Sequence, residues 1–348
     1  PKLFGPFGTD TLASTIINTA KNQTDSTRTT LGNEVTTFTS VSKADEHVLN
    51  TAPDDYGTSY YFRGNVIDNY VNFANLTWRI VRINGNGSIR LILDDVAKDS
   101  SGNAIKTAFN TNYNDNAYVG YMYGTAGSTT YDATHENKND STIKVAVDKW
   151  YEDNLKTNYA NYLSDTLFCG DKTMAESGVG SDNTAKGYGT NKTYYSSTER
   201  LMYSSGTTDI TISTPTLKCA EKVNDNYSRY TVNQSTLPDG KETNGDLKYP
   251  IGLITADEVA YAGTYRYNQA NKLYYLYNPS ITSYWWILFP NYYYGSHAYG
   301  WYISYSFGGI YNRYIDDVIS FRPTINLKSD IKFTGTGTSS DPYKIVSE

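Results

Sequence analysis

Cysteine, histidine and methionine are scarce in this chain. Among 348 residues there are two Cys, three His and three Met. Cys169 and Cys219 lie fifty residues apart, and none of His47, His135 or His297 is close to them in sequence. That spacing gives no metal-ligand cluster, so neither a metal nor another cofactor is expected. A disulfide between the two cysteines is favoured over two buried thiols, because the composition is that of a secreted chain. Positive charge is also short. Lys and Arg number 30 against 36 Asp and Glu, for a net charge of −6. Phosphate contacts need a basic footprint, so a nucleic-acid partner is excluded. Long apolar runs are missing as well. The longest is Trp285-Trp286-Ile287-Leu288-Phe289, far below the roughly 18 residues of a membrane span. The first residue is Pro1 rather than Met, which reads as a mature or trimmed product whose signal or anchor has gone.

Tyrosine is what the chain has in excess, with 35 copies. Tyr beside abundant Asn, Thr, Ser and Gly suits strands and contact surfaces better than helical bundles. Mean hydropathy is −0.56, yet Tyr and Trp bury enough area to build a core. Fourteen tyrosines fall between residues 265 and 314, from Tyr265 and Tyr267 through Tyr314. One core cannot bury that density, so an exposed aromatic face is expected there. The alternative is a Tyr-rich sheet packed on itself.

Periodicity and turn chemistry sketch the organisation. Residues 1–54 read as a lead-in or stalk, with a short helix over 11–20 burying Leu12, Ile16 and Ile17, then irregular Thr/Ser/Asn-rich chain. Strands are expected over 66–73, 76–83 and 89–93, the last two joined by Asn84-Gly85-Asn86-Gly87. Arg79 and Arg82 alternate there with Trp78, Ile80 and Ile83, the pattern of a half-buried strand. A helix over 141–155 would bury Ile143, Val147, Trp150 and Tyr151, capped by Asp140 or Ser141. Thr255-Ala256-Asp257-Glu258 is a capping box opening another helix. Residues 170–246 are poor in apolar side chains and read as a loop-rich insertion.

Catalytic signatures are weak. Ser141-x-x-Lys144 with Ser181-Asp182-Asn183 matches two of the three motifs of serine β-lactamases, but Lys-Thr-Gly is absent. The plainer reading of Ser141 is a helix cap. A Gly-x-Ser-x-Gly elbow, His-Glu-x-x-His and a Walker loop are all missing. His297 has no evident base partner. The carboxylates Asp94-Asp95, Asp257-Glu258 and Asp316-Asp317 include no pair selected for glycoside hydrolysis and no calcium loop. No enzyme activity is expected; a carbohydrate-active hydrolase is the least favoured alternative.

Several stretches carry a resemblance. They include residues 54–64 (Asp-Asp-Tyr-Gly-Thr-Ser-Tyr-Tyr-Phe-Arg-Gly), 78–91 (from Trp78 through Leu91), 118–124, 139–144 and 249–258. The end adds Arg322-Pro323-Thr324-Ile325-Asn326-Leu327 and a Gly-Thr-Gly-Thr-Ser-Ser-Asp-Pro-Tyr run over 335–343. Together they resemble a surface-protein family of Gram-positive gut anaerobes. Its C-terminal part has the C-type-lectin-like fold, as in variable target proteins of diversity-generating retroelements. The resemblance spans about residues 54–348. It implies an α+β fold with mixed or antiparallel sheets, two main helices and long loop insertions, forming one domain over 55–348. It also implies a variable segment over 287–320, where adenine-directed change turns Asn codons into a Tyr, Ser, Asp, His and Arg alphabet. The segment shows that alphabet in Asn291, Tyr292, Tyr293, Tyr294, His297, Tyr299, Tyr305, Phe307, Asn312, Arg313, Tyr314, Asp316 and Asp317. Trp285, Trp286, Pro290, Gly308, Gly309, Val318, Arg322 and Pro323 form its framework.

Two positions depart from the family pattern: Phe289 stands where Ser is usual before the Pro, and Ser320-Phe321 replaces Gly-Val. Phe289 is therefore read as a diversified contact position. The calcium motifs of C-type lectins (Glu-Pro-Asn, Gln-Pro-Asp, Trp-Asn-Asp) are absent. The paired active-site cysteines of formylglycine-generating enzymes have no counterpart either. The expected protein is a secreted or cell-surface binder, adhesin- or receptor-like. Its expected partner is a protein or glycan on another cell, a phage or a host surface, met by Phe289 and the variable residues above. The other alternative is a structural subunit of a surface filament assembled through residues 1–54.

Overall fold

A computed structural model describes residues 11–175, 186–202, 213–219, 226–264 and 271–346. The architecture is α+β: a ten-stranded and a six-stranded sheet with five α-helices among the described residues, joined by long stretches of loop. The first helix, Leu12–Lys21, starts at Thr11, whose hydroxyl accepts from the Ser14 amide while Ser14 reaches back to the Thr11 amide. Leu12, Ala13, Ile16 and Ala20 are buried, and Ile17 lies at the margin.

Residues after this helix were expected to be irregular, and here the structure differs. Thr30–Glu34 and His47–Asp54 are strands of a ten-stranded sheet. His47–Asp54 pairs antiparallel along its whole length with Gly57–Gly64, Asp54 opposite Gly57. Thr and Asn are poor predictors on their own, and this strand is created by pairing rather than by its apolar content. Within 30–54, Thr30–Glu34 and His47–Asp54 are thus sheet, and the chain between them, residues 35–46, is loop.

The centre of this sheet is Leu76–Ile83. On one edge it pairs with Tyr70–Phe73 and, through its last residues Arg82 and Ile83, with Tyr61 and Tyr60 of Gly57–Gly64; on the other it pairs with Ile89–Leu93. The expected hairpin turn is present. Gly87, with φ +83°, supplies its left-handed residue, and the Asn84 amide donates to Ser88 O. Thr324–Leu327 adds to Ile89–Leu93 and carries Ile251–Gly252 on its far side.

The arginines of this sheet correct a second expectation. Arg79, Arg82 and Arg90 are not on a wet face; all three are buried. Arg82 donates to Asp54 Oδ2 at 2.7 Å and to Glu258 Oε1 at 2.9 Å, and Arg90 donates to the same Glu258 oxygen at 2.8 Å. Glu258 belongs to the helix Ala256–Ala262, whose capping box with Thr255 is formed as the sequence implied. Against the cost of burial, Arg90 and Arg82 hold its carboxyl down at about 2.

Helix Thr142–Asn154 is capped by Ser141, whose hydroxyl accepts from the Lys144 amide and donates to Tyr121 O. Lys144 pairs with Asp148 at 2.8 Å, so the Ser-x-x-Lys tetrapeptide is spent on a cap and an ion pair. Ser181-Asp182-Asn183 lies outside the described residues, as do Tyr265 and Tyr267. Cys169 and Cys219 form a disulfide, with Cα atoms 5.3 Å apart. The region 170–246 is loop-rich, but it also contains helix Ser196–Met202 and the short strands Thr193–Tyr194 and Arg229–Tyr230.

Candidate functional site

The second sheet has six strands and holds the aromatic segment. Its central strand, Trp285–Tyr294, pairs antiparallel with His297–Ile303, parallel with Ile319–Phe321 and antiparallel with Thr193–Tyr194. His297–Ile303 in turn carries Ile310–Tyr314. Gly295 and Ser296 connect the first pair, with φ of +61° and +71°. A two-residue loop with both residues left-handed matches the right-handed twist of the strands it joins. This tight turn sets Tyr294 opposite His297.

Alternation along these strands sorts the expected contact residues. Pro290 cannot donate to a ladder, and the register slips on both sides of it. Helix Ser196–Met202 packs beneath, with Ser197 Oγ donating to Pro290 O at 2.7 Å and Thr198 Oγ1 to Asn291 O at 2.6 Å. Phe289, Asn291 and Tyr293 are consequently buried. Phe289 lies over the Arg200 guanidinium and lines a cavity of about 20 Å3 beside Asp54, Asp55, Arg82, Arg90 and Glu258. These three residues support the face from below and do not form part of it. The expected place of these three on the exposed face differs from the burial found, because the bulge and the helix beneath cover them and neither is signalled by the local sequence.

The remaining residues form two clusters. In the first, six rings follow one another across the sheet. Tyr113 stacks on His297 (4.5 Å between centroids, 6° between planes), His297 meets Tyr314 (4.5 Å), Tyr314 meets Tyr299 (4.8 Å), Tyr299 stacks on Tyr292 (4.2 Å, 25°) and Tyr292 meets Tyr194 (5.4 Å). Lys192 lies over both Tyr194 and Tyr294. Tyr294 is 53% exposed and Tyr314 43%. Burial and a hydrogen bond to Tyr314 push the Tyr299 hydroxyl well above the usual tyrosine range, so it stays protonated. Two of the five contacts are stacked and the other three are tilted by 39–48°, so the row presents ring edges, hydroxyls and part of the ring faces.

The second cluster uses alternate residues of the same strands. Tyr305 meets Tyr284, which meets Tyr302; Tyr302 meets Tyr311, and Tyr311 meets Phe307. The Arg313 guanidinium lies over Tyr284 and Tyr302 and pairs with Asp317. Tyr314 and Arg313, adjacent in sequence, therefore serve opposite faces. Phe307 is 59% exposed. Asn312 and Asp316 are half-exposed, on the strand and in the turn after it.

Two rings of the row, Tyr113 and Tyr194, and the neighbouring Lys192 lie outside the segment the sequence singles out. Tyr113 and Tyr194 come from segments more than ninety residues upstream of Tyr292, and Lys192 sits in the loop-rich region. No local signal marks them, because only strand pairing brings Thr193–Tyr194 against the central strand. Among the described residues no group of three or more His, Cys, Asp or Glu is placed to hold a metal ion. No described helix is long and apolar enough to cross a membrane. Comparison with protein-family models, with curated proteins and with solved structures finds no match for this chain.

Proposed function

We propose that this is a secreted or cell-surface binding protein with a C-type-lectin-like domain, and that the ring ladder from Tyr113 to Tyr194 is its ligand-contacting face. The observation that carries this reading is the ladder itself. Six aromatic rings from five separate segments converge at the surface, where a monomeric domain has no packing need for them. Contact between neighbouring rings restricts their side-chain freedom, so less of it is lost on binding. Tyr hydroxyls and Lys192 supply polar contacts, and the ring edges supply apolar area. The disulfide fits an oxidising, extracellular setting.

The alphabet of residues 291–317 supports diversification by a retroelement. Its variable positions would then be the exposed or half-exposed ones, among them Tyr292, Tyr294, His297, Tyr299, Phe307 and Tyr314. Ligand identity would differ between descendants of one clone.

Labelled protein added to intact bacterial and host cells, read by flow cytometry, tests the binding role. Binding is expected, with at least a tenfold loss in the combined Tyr292→Ser, Tyr299→Ser and Tyr314→Ser variant. Equal binding by that variant, shown folded by its circular dichroism, overturns the ladder as the contact face. Sequencing of the coding region in many descendants tests diversification separately. Changes confined to adenines in codons 287–320 are expected, and a segment as constant as codons 60–95 refutes it.

A further inference from the structure

Lys172 is fully buried, and its amine is directed at an asparagine side chain. Nζ lies 2.7 Å from Asn137 Oδ1 and 2.7 Å from His135 O. The Asn137 carboxamide is engaged on every side. Its oxygen also accepts from the Tyr230 hydroxyl at 3.3 Å, and its nitrogen donates to Asp246 Oδ2 at 2.8 Å and to Tyr227 O at 3.0 Å. Tyr230 is itself fully buried, its hydroxyl held by the Met122 amide and its ring 5.6 Å from Nζ. The result is an amine nucleophile at an amide carbonyl, a phenol polarising the carbonyl oxygen, and a carboxylate on the nitrogen that would leave. These are the groups that acyl transfer to an amine requires.

We propose that Lys172 and Asn137 join in an intramolecular isopeptide bond, formed by the protein on itself. The attacking form is the neutral amine, which carries the lone pair. Nζ attacks Cγ of Asn137, and the charge that develops on Oδ1 is met by the Tyr230 hydroxyl. Nζ and Nδ2 then share one carbon. The Asp246 carboxylate, exposed at the rim and in contact with Nδ2, takes the proton from Nζ and returns it to the leaving nitrogen. The Nζ–Cγ bond forms, the Cγ–Nδ2 bond breaks and ammonia departs; no oxidant or other reactant enters. Proximity supplies the rate, since both partners are already in contact in the folded chain. The bond would pin the segment after helix Tyr131–His135 to the segment after Phe168–Cys169, three residues from the disulfide.

Intact mass of the full chain, denatured and reduced, is the test. The expected mass is about 17 Da below that of the sequence, the mass of one ammonia lost in the acyl transfer. Digestion should yield one branched peptide joining residues 137 and 172, absent from an Asn137→Ala chain. A mass equal to the sequence overturns the proposal. So does the same loss mapped elsewhere, such as ring closure at Asn84-Gly85 or Asn244-Gly245, or a loss that persists in Asn137→Ala. Tyr230→Phe, which keeps the amine and amide in place, is expected to slow the appearance of the branched peptide after folding.

Discussion

Replacing Asp55 with asparagine should stabilise the protein at neutral pH and mildly destabilise it in acid. Asp55 is buried next to the disulfide. Its Oδ2 accepts from the Cys219 amide at 2.9 Å, while Oδ1 has no hydrogen-bond partner. Burial pushes its carboxyl from the ordinary 3.8 up to about 6; the Cys219 amide opposes this, the neighbouring Asp54 charge adds to it, and Arg82 and Lys241 pull it back. At about 1.36 kcal/mol per pH unit, that shift corresponds to about 3 kcal/mol of strain when the group is ionised. Between pH 3.8 and 6 the folded chain keeps a proton that the unfolded chain has released. Stability from this group therefore falls as pH rises through that window, and the loss is complete above about 6. Asparagine carries no charge at any pH, but its NH2 group needs partners where Oδ1 has none. That cost of about 1–2 kcal/mol reduces the gain. The net expectation at pH 7.5 is a variant more stable by about 1–2 kcal/mol; towards pH 4, where Asp55 keeps its proton and only the amide's cost remains, the order reverses and the wild type is the more stable by about 1 kcal/mol. Urea unfolding followed by tryptophan fluorescence at both pH values measures it. A gap of equal size at both, or a wild type that is the more stable at pH 7.5, would refute the reasoning.

Glu258→Gln should act in the opposite sense, because it leaves Arg82 and Arg90 buried without their shared carboxylate. A loss of about 3–5 kcal/mol in urea unfolding is expected at pH 7. The wild-type contribution of this group is present above its ordinary 4.5 and disappears as pH falls towards about 2, so the cost of the substitution should shrink in acid. Reduction of Cys169–Cys219 releases a loop of 50 residues. Chain entropy puts the loss at about 4 kcal/mol, to be read as a lower urea midpoint in reducing buffer; an unchanged midpoint would show that the unfolded chain is not constrained by the bridge.

Local features were legible wherever the chemistry lies within a few residues. Ser141 and Thr255 cap their helices because the hydroxyl and the amide it takes are three positions apart. The Asn-Gly turn follows from backbone freedom at glycine. The cysteine pairing was also readable, since only two cysteines exist and the composition favours oxidation. What misled was burial of polar groups. An arginine every third residue in a strand looks wet, yet Arg79 and Arg82 are buried because Asn69, Asp54 and Glu258, remote in sequence, satisfy them.

The aromatic segment divides the same way. Its richness in tyrosine, and hence the expectation of an aromatic face, belongs to the sequence alone. Which tyrosines reach that face was decided in three dimensions. Strand alternation sends Tyr314 to the ladder and Arg313 to the other side, the slip at Pro290 buries Phe289, Asn291 and Tyr293, and pairing with Thr193–Tyr194 adds a ring from a hundred residues away. Side-chain identity is set by the chain, but solvent access depends on what the chain packs against, and those partners are distant in sequence.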